Sequence, residues 1–351
     1  MARDLVVIGG SAGSIEALTR LVRGLPADYV ASILVVVHVP PDAHSNLPRI
    51  LARRSALPAT HAKDGWPLVP GTIMVAPPDR HLVVEGDHVR VVRGPRENNH
   101  RPAIDPLFRS AAEWQDGHVT AVVLSGGPGD GVAGCMAVID RGGRVIVQDP
   151  EEALFPQLPT SVLGRAEVDV VADSARIGSV LAGALRDASH RNEEQAARAD
   201  RPEVVTMTEQ AEDSANGRPS TFGCPDCGGV MWQIEDGRVL RFRCRVGHAH
   251  TGETLLEAQT SRLEDALWSA LRGQEEKAEL AERLAGRAEE QRFDHAAETY
   301  RGQAELATTH ARTLREFLES MERVEVPASG WPVSEGLPND APVPESGEAH
   351  G

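Results

Sequence analysis

Four short runs of almost wholly apolar, β-branched residues limit most strongly what this chain can fold into. They are Asp4-Leu-Val-Val-Ile8, Ile33-Leu-Val-Val-Val37, Thr120-Ala-Val-Val-Leu124 and Val145-Ile-Val147. A strand with one wet face alternates apolar and polar residues. A continuous apolar run instead needs cover on both faces, the condition of a strand inside a parallel sheet. Helical periods fill the gaps: Ile15, Leu18, Val22 and Leu25 share a face of Ser14–Leu25, and Val132, Met136 and Ile139 share a face of Gly131–Asp140. Asp105 followed by Pro106 reads as an N-cap and first helical position. Between residues 71 and 92, Ile73–Ala76, Leu82–Val84 and Val89–Val92 read as further strands, with a hairpin around Glu85-Gly-Asp-His88. The recurring β-α-β order predicts an α/β fold with a doubly wound, mostly parallel sheet.

Charge divides the chain. Thirty-six Lys and Arg against 52 Asp and Glu give a net charge of −16 over 351 residues. Residues 1–186 hold 18 basic and 20 acidic side chains, a net of −2, leaving 18 and 32, a net of −14, for residues 187–351. We therefore expect an α/β domain at 1–186, a linker at 187–220, a small cysteine module at 221–252, a helical region at 253–323, and a disordered acidic, proline-rich tail at 324–351. The acidity and the 4% aromatic content argue against a nucleic-acid partner. No apolar run approaches the ~20 residues needed for membrane insertion, and no secretory leader is apparent at Met1-Ala2-Arg3-Asp4. Four cysteines in so long a chain fit a reducing, cytoplasmic setting.

Open α/β sheets bind ligands beyond the carboxyl ends of their strands. The first run is followed by Gly9-Gly10-Ser11-Ala12-Gly13-Ser14 and the second by His38. Ser125-Gly-Gly-Pro-Gly-Asp130-Gly follows the third and Gln148-Asp149-Pro150 the fourth. Each residue has a commoner structural role when taken singly: Ser11 as a helix cap, His38 as a strand-end histidine, Asp130 as a turn residue. Together, a hydroxyl, an imidazole and carboxylates on one sheet edge form the inventory for nucleophilic acyl transfer. Other glycine-loop readings fit less well. A dinucleotide fold needs G-x-G-x-x-G and an acid ending its second strand, which here ends at His38; there is no G-K-[ST], and the Ser11 loop is not G-x-S-x-G.

The motifs Ile8-Gly-Gly-Ser11-Ala-Gly, Val37-His38-Val-Pro, Pro70-Gly-Thr-Ile-Met-Val-Ala-Pro77, His100-Arg-Pro-Ala-Ile-Asp105-Pro-Leu-Phe108, Leu124-Ser-Gly-Gly-Pro-Gly-Asp130-Gly and Gln148-Asp149 stand in order over about 3–186. In this the chain resembles the catalytic domain of the chemotaxis protein-glutamate methylesterases (CheB). The resemblance implies Ser11 as nucleophile, His38 as general base and acid, and Asp130 as the acid orienting His38. It implies a γ-glutamyl methyl ester on a chemoreceptor, or a similar helical signalling protein, as substrate. Glutamine deamidation on the same receptors is the enzymatic alternative, and a non-catalytic scaffold of a signalling complex the alternative in another class. Catalysis would need no cofactor. The backbone N–H groups of Ala12 and Gly13 are candidate oxyanion donors at a helix start, and Arg101 and Gly127 candidate substrate contacts. Position 14 is Ser where the family commonly has Gly, and the Asp130 loop lacks the family's methionine. The family's receiver domain would precede the catalytic strand, which here begins near residue 4, so control is expected from elsewhere.

Cys224-Pro-Asp-Cys227 and Cys244-Arg-Val-Gly-His248-Ala-His250 give C-x2-C-x16-C-x3-H. That spacing suits a structural zinc on Cys224, Cys227, Cys244 and His248, with His250 the competing fourth ligand. Strands Val230–Ile234 and Val239–Arg243 would join the two ligand pairs, and a module this small needs such a staple. Cys135 lies on an apolar helix face and reads as core. Leucines at helical spacing beyond Thr254 predict two long helices breaking near Gln291–His295, as an antiparallel hairpin or a coiled coil for self-association, against the plainer reading of a solvated spacer.

Overall fold

A computed structural model describes residues 3–43, 45–114, 117–188, 217–236 and 239–321. Residues 189–216 of the expected linker and all of the expected tail lie outside this range. In chain order the elements are β1 (Arg3–Gly10), α1 (Ser14–Arg23), β2 (Ser32–Val37), α2 (Leu47–Arg54), β3 (Ala59–His61), β4 (Ile73–Val75), β5 (His81–Glu85), β6 (His88–Val92), α3 (Ile104–Ala112), β7 (Gly117–Val123), α4 (Val132–Asp140), β8 (Arg144–Gln148), α5 (Gln157–Leu163), β9 (Val170–Ala172) and α6 (Ser174–Ala188). The C-terminal part adds β10 (Arg218–Gly223), β11 (Val230–Asp236), β12 (Val239–Cys244), β13 (Ala249–Thr251), α7 (Gly252–Glu290) and α8 (Asp294–Met321). No described helix is long and apolar enough to cross a membrane.

Seven strands form one sheet in the order β3-β4-β2-β1-β7-β8-β9, and every pairing is parallel. The four apolar runs supply its centre. Alternate residues of each run face opposite layers. Leu5, Val7, Leu34, Val36, Ala121 and Val123 pack under α3, α4, α5 and the β5–β6 hairpin, while Val6, Ile8, Ile33, Val35 and Val122 pack under α1, α2 and α6. Double cover is why the runs do not alternate with polar residues. Cys135 is fully buried within the first layer. Two short edge strands, β3 and β9, and helices α2, α5 and α6 complete the winding beyond what the periodicity showed.

β1 is the switch point, since successive strands continue to β2 on one side and to β7 on the other. One expectation needs correction. Asp105 does not cap its own helix: α3 starts at Ile104, with Ala103 before it and no side-chain cap.

The remaining part is a four-stranded antiparallel sheet, β10-β11-β12-β13, continued by a helical hairpin. Helices α7 and α8 run antiparallel, with Leu271 against Ala311 and Leu318, and Arg315 bonded to Glu275. The break falls at 291–293, where the sequence placed it.

Helices α1 and α6 approach until their backbones touch. A Cβ on Gly178 would strike the Leu21 carbonyl and lie 2.9 Å from Gly24 Cα. In a solvated helix Gly→Ala gains ~1 kcal/mol, but here overpacking should cost ~1–3 kcal/mol. Gly178→Ala should therefore lower the urea midpoint of unfolding; an unchanged or raised midpoint would contradict this packing.

Candidate active site

The register of the central strands assembles the site. Gly10 pairs with Val37, so the next residues, Ser11 and His38, stand side by side at the ends of β1 and β2, with the His38 N–H donating to the Gly10 carbonyl at 3.1 Å. On the other flank the Ser11 N–H donates to the Ser125 carbonyl at 2.9 Å, so the loop after β7 brackets the serine. That loop is close: a Cβ on Gly126 would lie 2.9 Å from Ser11 Cβ. The turn into α1 needs Gly13, whose φ of 74° is left-handed and whose missing side chain would meet Ser125 Oγ at 2.7 Å. The N–H groups of Ala12 and Gly13 have no acceptor among the described residues and sit at the positive end of α1. Ser14, the departure from the family pattern, is buried and donates its hydroxyl to the Ser11 carbonyl at 2.6 Å, stiffening the same turn.

His38 Nε2 lies 2.7 Å from Asp130 Oδ2, with side-chain exposures of 8% and 2%. Asp130 also accepts from the backbone N–H of Ile104 at 2.6 Å, from that of Asp105 at 3.1 Å, and from Asn98 Nδ2 at 3.0 Å. Burial works to raise the Asp130 carboxyl, but the His38 hydrogen bond, the nearby imidazoles and the Ile104 N–H hold it well below the usual carboxylate range. An ionised Asp130 accepts only, so the hydrogen shared with it sits on His38 Nε2, and the neutral ring in that tautomer carries its lone pair on Nδ1. Nδ1 is buried and has no hydrogen-bond partner among the described residues. Ser11 Oγ is not bonded to it; such contacts often tighten only with substrate bound.

Asp105 mirrors Asp130. Its Oδ1 accepts from the N–H groups of Gly131 at 3.0 Å and Gly134 at 2.6 Å, and its Oδ2 from Asn98 Nδ2 at 2.9 Å. Each carboxylate thus caps the other's helix, Asp130 serving α3 and Asp105 serving α4. Burial and the Asp130 charge push the Asp105 carboxyl up.

Two residues without a role in the sequence reading join the centre. His100 stacks on His38 with ring centroids 3.6 Å apart at 14°. Burial, then the proximity of His38, lower its pKa to about 4, so it is a neutral wall above that pH. Asn98 is buried and left-handed, with φ of 50°. Its only sequence signal was the Asn98-Asn99 pair, the residue type that best tolerates that backbone after glycine.

Of the two candidate substrate contacts, Gly127 is exposed with nothing crowding its Cβ direction. Arg101 is engaged elsewhere, donating from Nε to Asp79 at 2.8 Å and from Nη1 to the Gly94 carbonyl at 2.7 Å.

The predicted metal ligands also converge. Cys224 Sγ is 3.7 Å from His248 Nδ1, Cys244 Sγ is 3.5 Å from it, and Cys227 and Cys244 Sγ are 3.7 Å apart. A tetrahedral zinc with ~2.3 Å Zn–S and ~2.0 Å Zn–N arms has edges of ~3.5–3.8 Å, so these residues fit that ion. His250 points elsewhere, its Nε2 lying 3.1 Å from Asp226 Oδ2; with Cys224 these two form a second, overlapping donor group.

A serine, a histidine and an aspartate thus stand together at the strand ends of an open parallel sheet, the residue types that nucleophilic acyl transfer uses. Comparison makes the assignment sharper. The chain matches the family model described as CheB methylesterase over residues 6–181 and belongs to that family. It is 36% identical over 188 residues to the protein-glutamate methylesterase/protein-glutamine glutaminase 2 of Caulobacter vibrioides, covering 52% of this chain and 54% of that one. It is 35% identical over 172 residues to the protein-glutamate methylesterase/protein-glutamine glutaminase of Trichodesmium erythraeum, covering 48% and 49%. The chain spans about half the length of the curated relatives it matches. The crystal structure of the Thermotoga maritima CheB methylesterase catalytic domain superposes with a TM-score of 0.50 at 32% identity, covering 52% of this chain and all of that one.

The His100 environment has a pH signature. Its folded pKa lies below the ordinary ~6.5, so between about pH 4 and 6.5 the unfolded chain binds more protons and stability rises with pH. His100→Phe keeps the stack and removes the titration. From pH 6.5 down to 4 the wild type should lose more stability than His100→Phe in urea unfolding; equal losses would contradict the assignment.

Proposed function

We propose that this protein hydrolyses γ-glutamyl methyl esters on a methylated chemoreceptor or a similar helical signalling protein. The observation that carries the reading is His38: Nε2 is held by Asp130, Nδ1 is buried with no partner among the described residues, and the residue stands next to Ser11 at the ends of neighbouring strands. Ser11 Oγ attacks the ester carbon as His38 Nδ1 takes its proton. The carbonyl oxygen becomes an oxyanion facing the Ala12 and Gly13 N–H groups, where a donor contributes ~3–4 kcal/mol. The tetrahedral intermediate expels methanol, which leaves with the proton from His38 and makes an acyl-Ser11. His38 then deprotonates water, water attacks the acyl carbon, and the glutamate carboxylate departs as Ser11 recovers its proton. Asp130 stabilises the transient imidazolium without taking its proton. No step needs a cofactor.

The relatives' names include protein-glutamine glutaminase, and the same acyl-enzyme forms from a glutamine amide with ammonia as leaving group. That second activity belongs to the same residues. The intact set weighs against a non-catalytic scaffold. Action beside the signalling domain of a receptor would place the protein in the cytoplasm. We assign the Cys224, Cys227, Cys244 and His248 cluster to a structural zinc. Four protein ligands close the coordination shell, so the ion would staple β11, β12 and the turns around them, with no catalytic water. Self-association through α7 and α8 is part of the proposal, supported by their exposed Leu263, Trp268 and Leu306.

Incubation with a methylated receptor fragment should release methanol, and Ser11→Ala should abolish release while leaving the fold intact. Equal inactivity of wild type and variant on every methylated receptor tested would overturn the reading. Elemental analysis should find one zinc per chain, lost in Cys224→Ser; a folded, metal-free wild-type protein would contradict the metal assignment.

A further inference from the structure

The C-terminal module touches the catalytic domain beside the triad, and Asn98 is the joint. The contact begins on the backbone: the Asn98 N–H donates to the Ala249 carbonyl at 2.8 Å and the Ala249 N–H to the Arg96 carbonyl at 3.3 Å, so β13 continues along the segment that leads to His100. Glu97, buried next to it, bonds Arg109 of α3 at 2.7 Å and lies 4.0 Å from Arg241 of β12. Helix α7 starts against the Asp130 loop, where a Cβ on Gly129 would collide with the Thr254 methyl. Arg165 at the end of α5 bonds Glu253 at 2.6 Å.

The Asn98 carboxamide uses its full capacity in this joint. Its Nδ2 donates one hydrogen to Asp105 Oδ2 and one to Asp130 Oδ1. Its Oδ1 accepts from the Thr251 N–H at 2.9 Å and from the Thr254 hydroxyl at 2.9 Å. An amide offers two donors and two lone pairs, and all four are matched. The pattern also fixes which way the amide faces: its oxygen must meet the donors of α7 so that its nitrogen meets the two carboxylates. Thr251 and Thr254 are themselves held, Thr251 Oγ1 capping α7 by accepting from the Thr254 N–H, with Asn98 the nearer acceptor of the Thr254 hydroxyl than the Thr251 carbonyl at 3.2 Å.

We infer that Asn98 is a positioning residue for the catalytic acid, and that the first turn of α7 holds it in that role. The C-terminal module is thereby part of the hydrolytic apparatus. A force that lifts α7 from this seat turns the Asn98 amide loose and relaxes the Asp130–His38 pair, so the helical arm is a route by which a partner controls Ser11. The inference rests on the reading of Ser11, His38 and Asp130 as the nucleophilic centre; it does not need the methylated receptor as substrate.

The test uses full-length variants and two readouts. Thr254→Val keeps the shape and removes the hydroxyl; Thr254→Ser keeps the hydroxyl and removes the methyl. The second-order rate of Ser11 labelling by a fluorophosphonate reads nucleophile activation without any natural substrate, and methanol release from a methylated receptor fragment gives kcat and KM. Loss of one such hydrogen bond is worth roughly a fivefold change. Thr254→Val should label about fivefold slower and lose kcat similarly with KM within twofold, and Thr254→Ser should return to within about twofold of wild type. Asn98→Ala should be slower still, and the double variant no slower than Asn98→Ala alone, because the Thr254 effect passes through Asn98. Wild-type labelling by Thr254→Val, failure of Thr254→Ser to restore the rate, or additive losses in the double variant would overturn the inference. If the wild type releases no methanol while labelling still depends on Thr254, the substrate reading falls and the inference stands. If methanol is released and Thr254→Val changes neither readout, the inference falls alone.

Discussion

Two buried carboxylates a few ångströms apart are the constraint around which this molecule is arranged. Asp130 and Asp105 would repel if both were simply packed in the core. The fold places each at the amino end of the other's helix, so that the N–H groups of Ile104 and Asp105 face Asp130 and those of Gly131 and Gly134 face Asp105. A single amide, Asn98, lies between them and donates to both. This exchange satisfies the first turns of α3 and α4, joins the two helices, and leaves Asp130 with one oxygen directed at His38. The carboxylate that holds the His38 imidazole is therefore fixed by helix capping as much as by that hydrogen bond.

The sheet explains why the reacting groups meet. Parallel strands present their carboxyl ends on one edge, and the register of β1 with β2 and β7 brings Ser11, His38 and the Ser125–Asp130 loop to one place. Glycines at 13 and 126 let the loops close to contact distance. His100 shields the other face of the His38 ring without competing for protons at neutral pH. The outcome is a hydroxyl next to an imidazole with one ring nitrogen on Asp130 and the other without a partner among the described residues.

Much of this was legible in the sequence because it is local. Continuous apolar runs announced doubly covered strands, and the Gly-rich ends of those runs carried the serine and the aspartate. The C-x2-C and C-x3-H pairs announced the convergent donor cluster, and leucine spacing announced the two long helices with their break. What the sequence did not disclose is non-local or depends on handedness. Asp105-Pro106 looks like a self-cap, since nothing nearby says that its carboxylate will serve a helix beginning 27 residues later. Asn98 carries no sequence signal beyond the Asn98-Asn99 pair, because its partners are Asp130 on one side and Thr251 and Thr254, over 150 residues away, on the other. Arg101 reads as a candidate substrate contact among the motifs, yet Asp79 and the Gly94 carbonyl take its donors. The short edge strands β3 and β9 carry too few residues to show a period.

The acidity of the chain belongs to its C-terminal half, while residues 1–186 are nearly neutral. The proposed activity turns on one covalent event at one atom. The most direct measurement is acid quenching of the enzyme during turnover of a methylated receptor fragment, followed by proteolysis and mass spectrometry. The account predicts the receptor peptide joined as an ester to the peptide containing Ser11, and its loss when Ser11 is replaced by Ala. An adduct on any other residue, or methanol release with no adduct at any quench time and undiminished in Ser11→Ala, would contradict it.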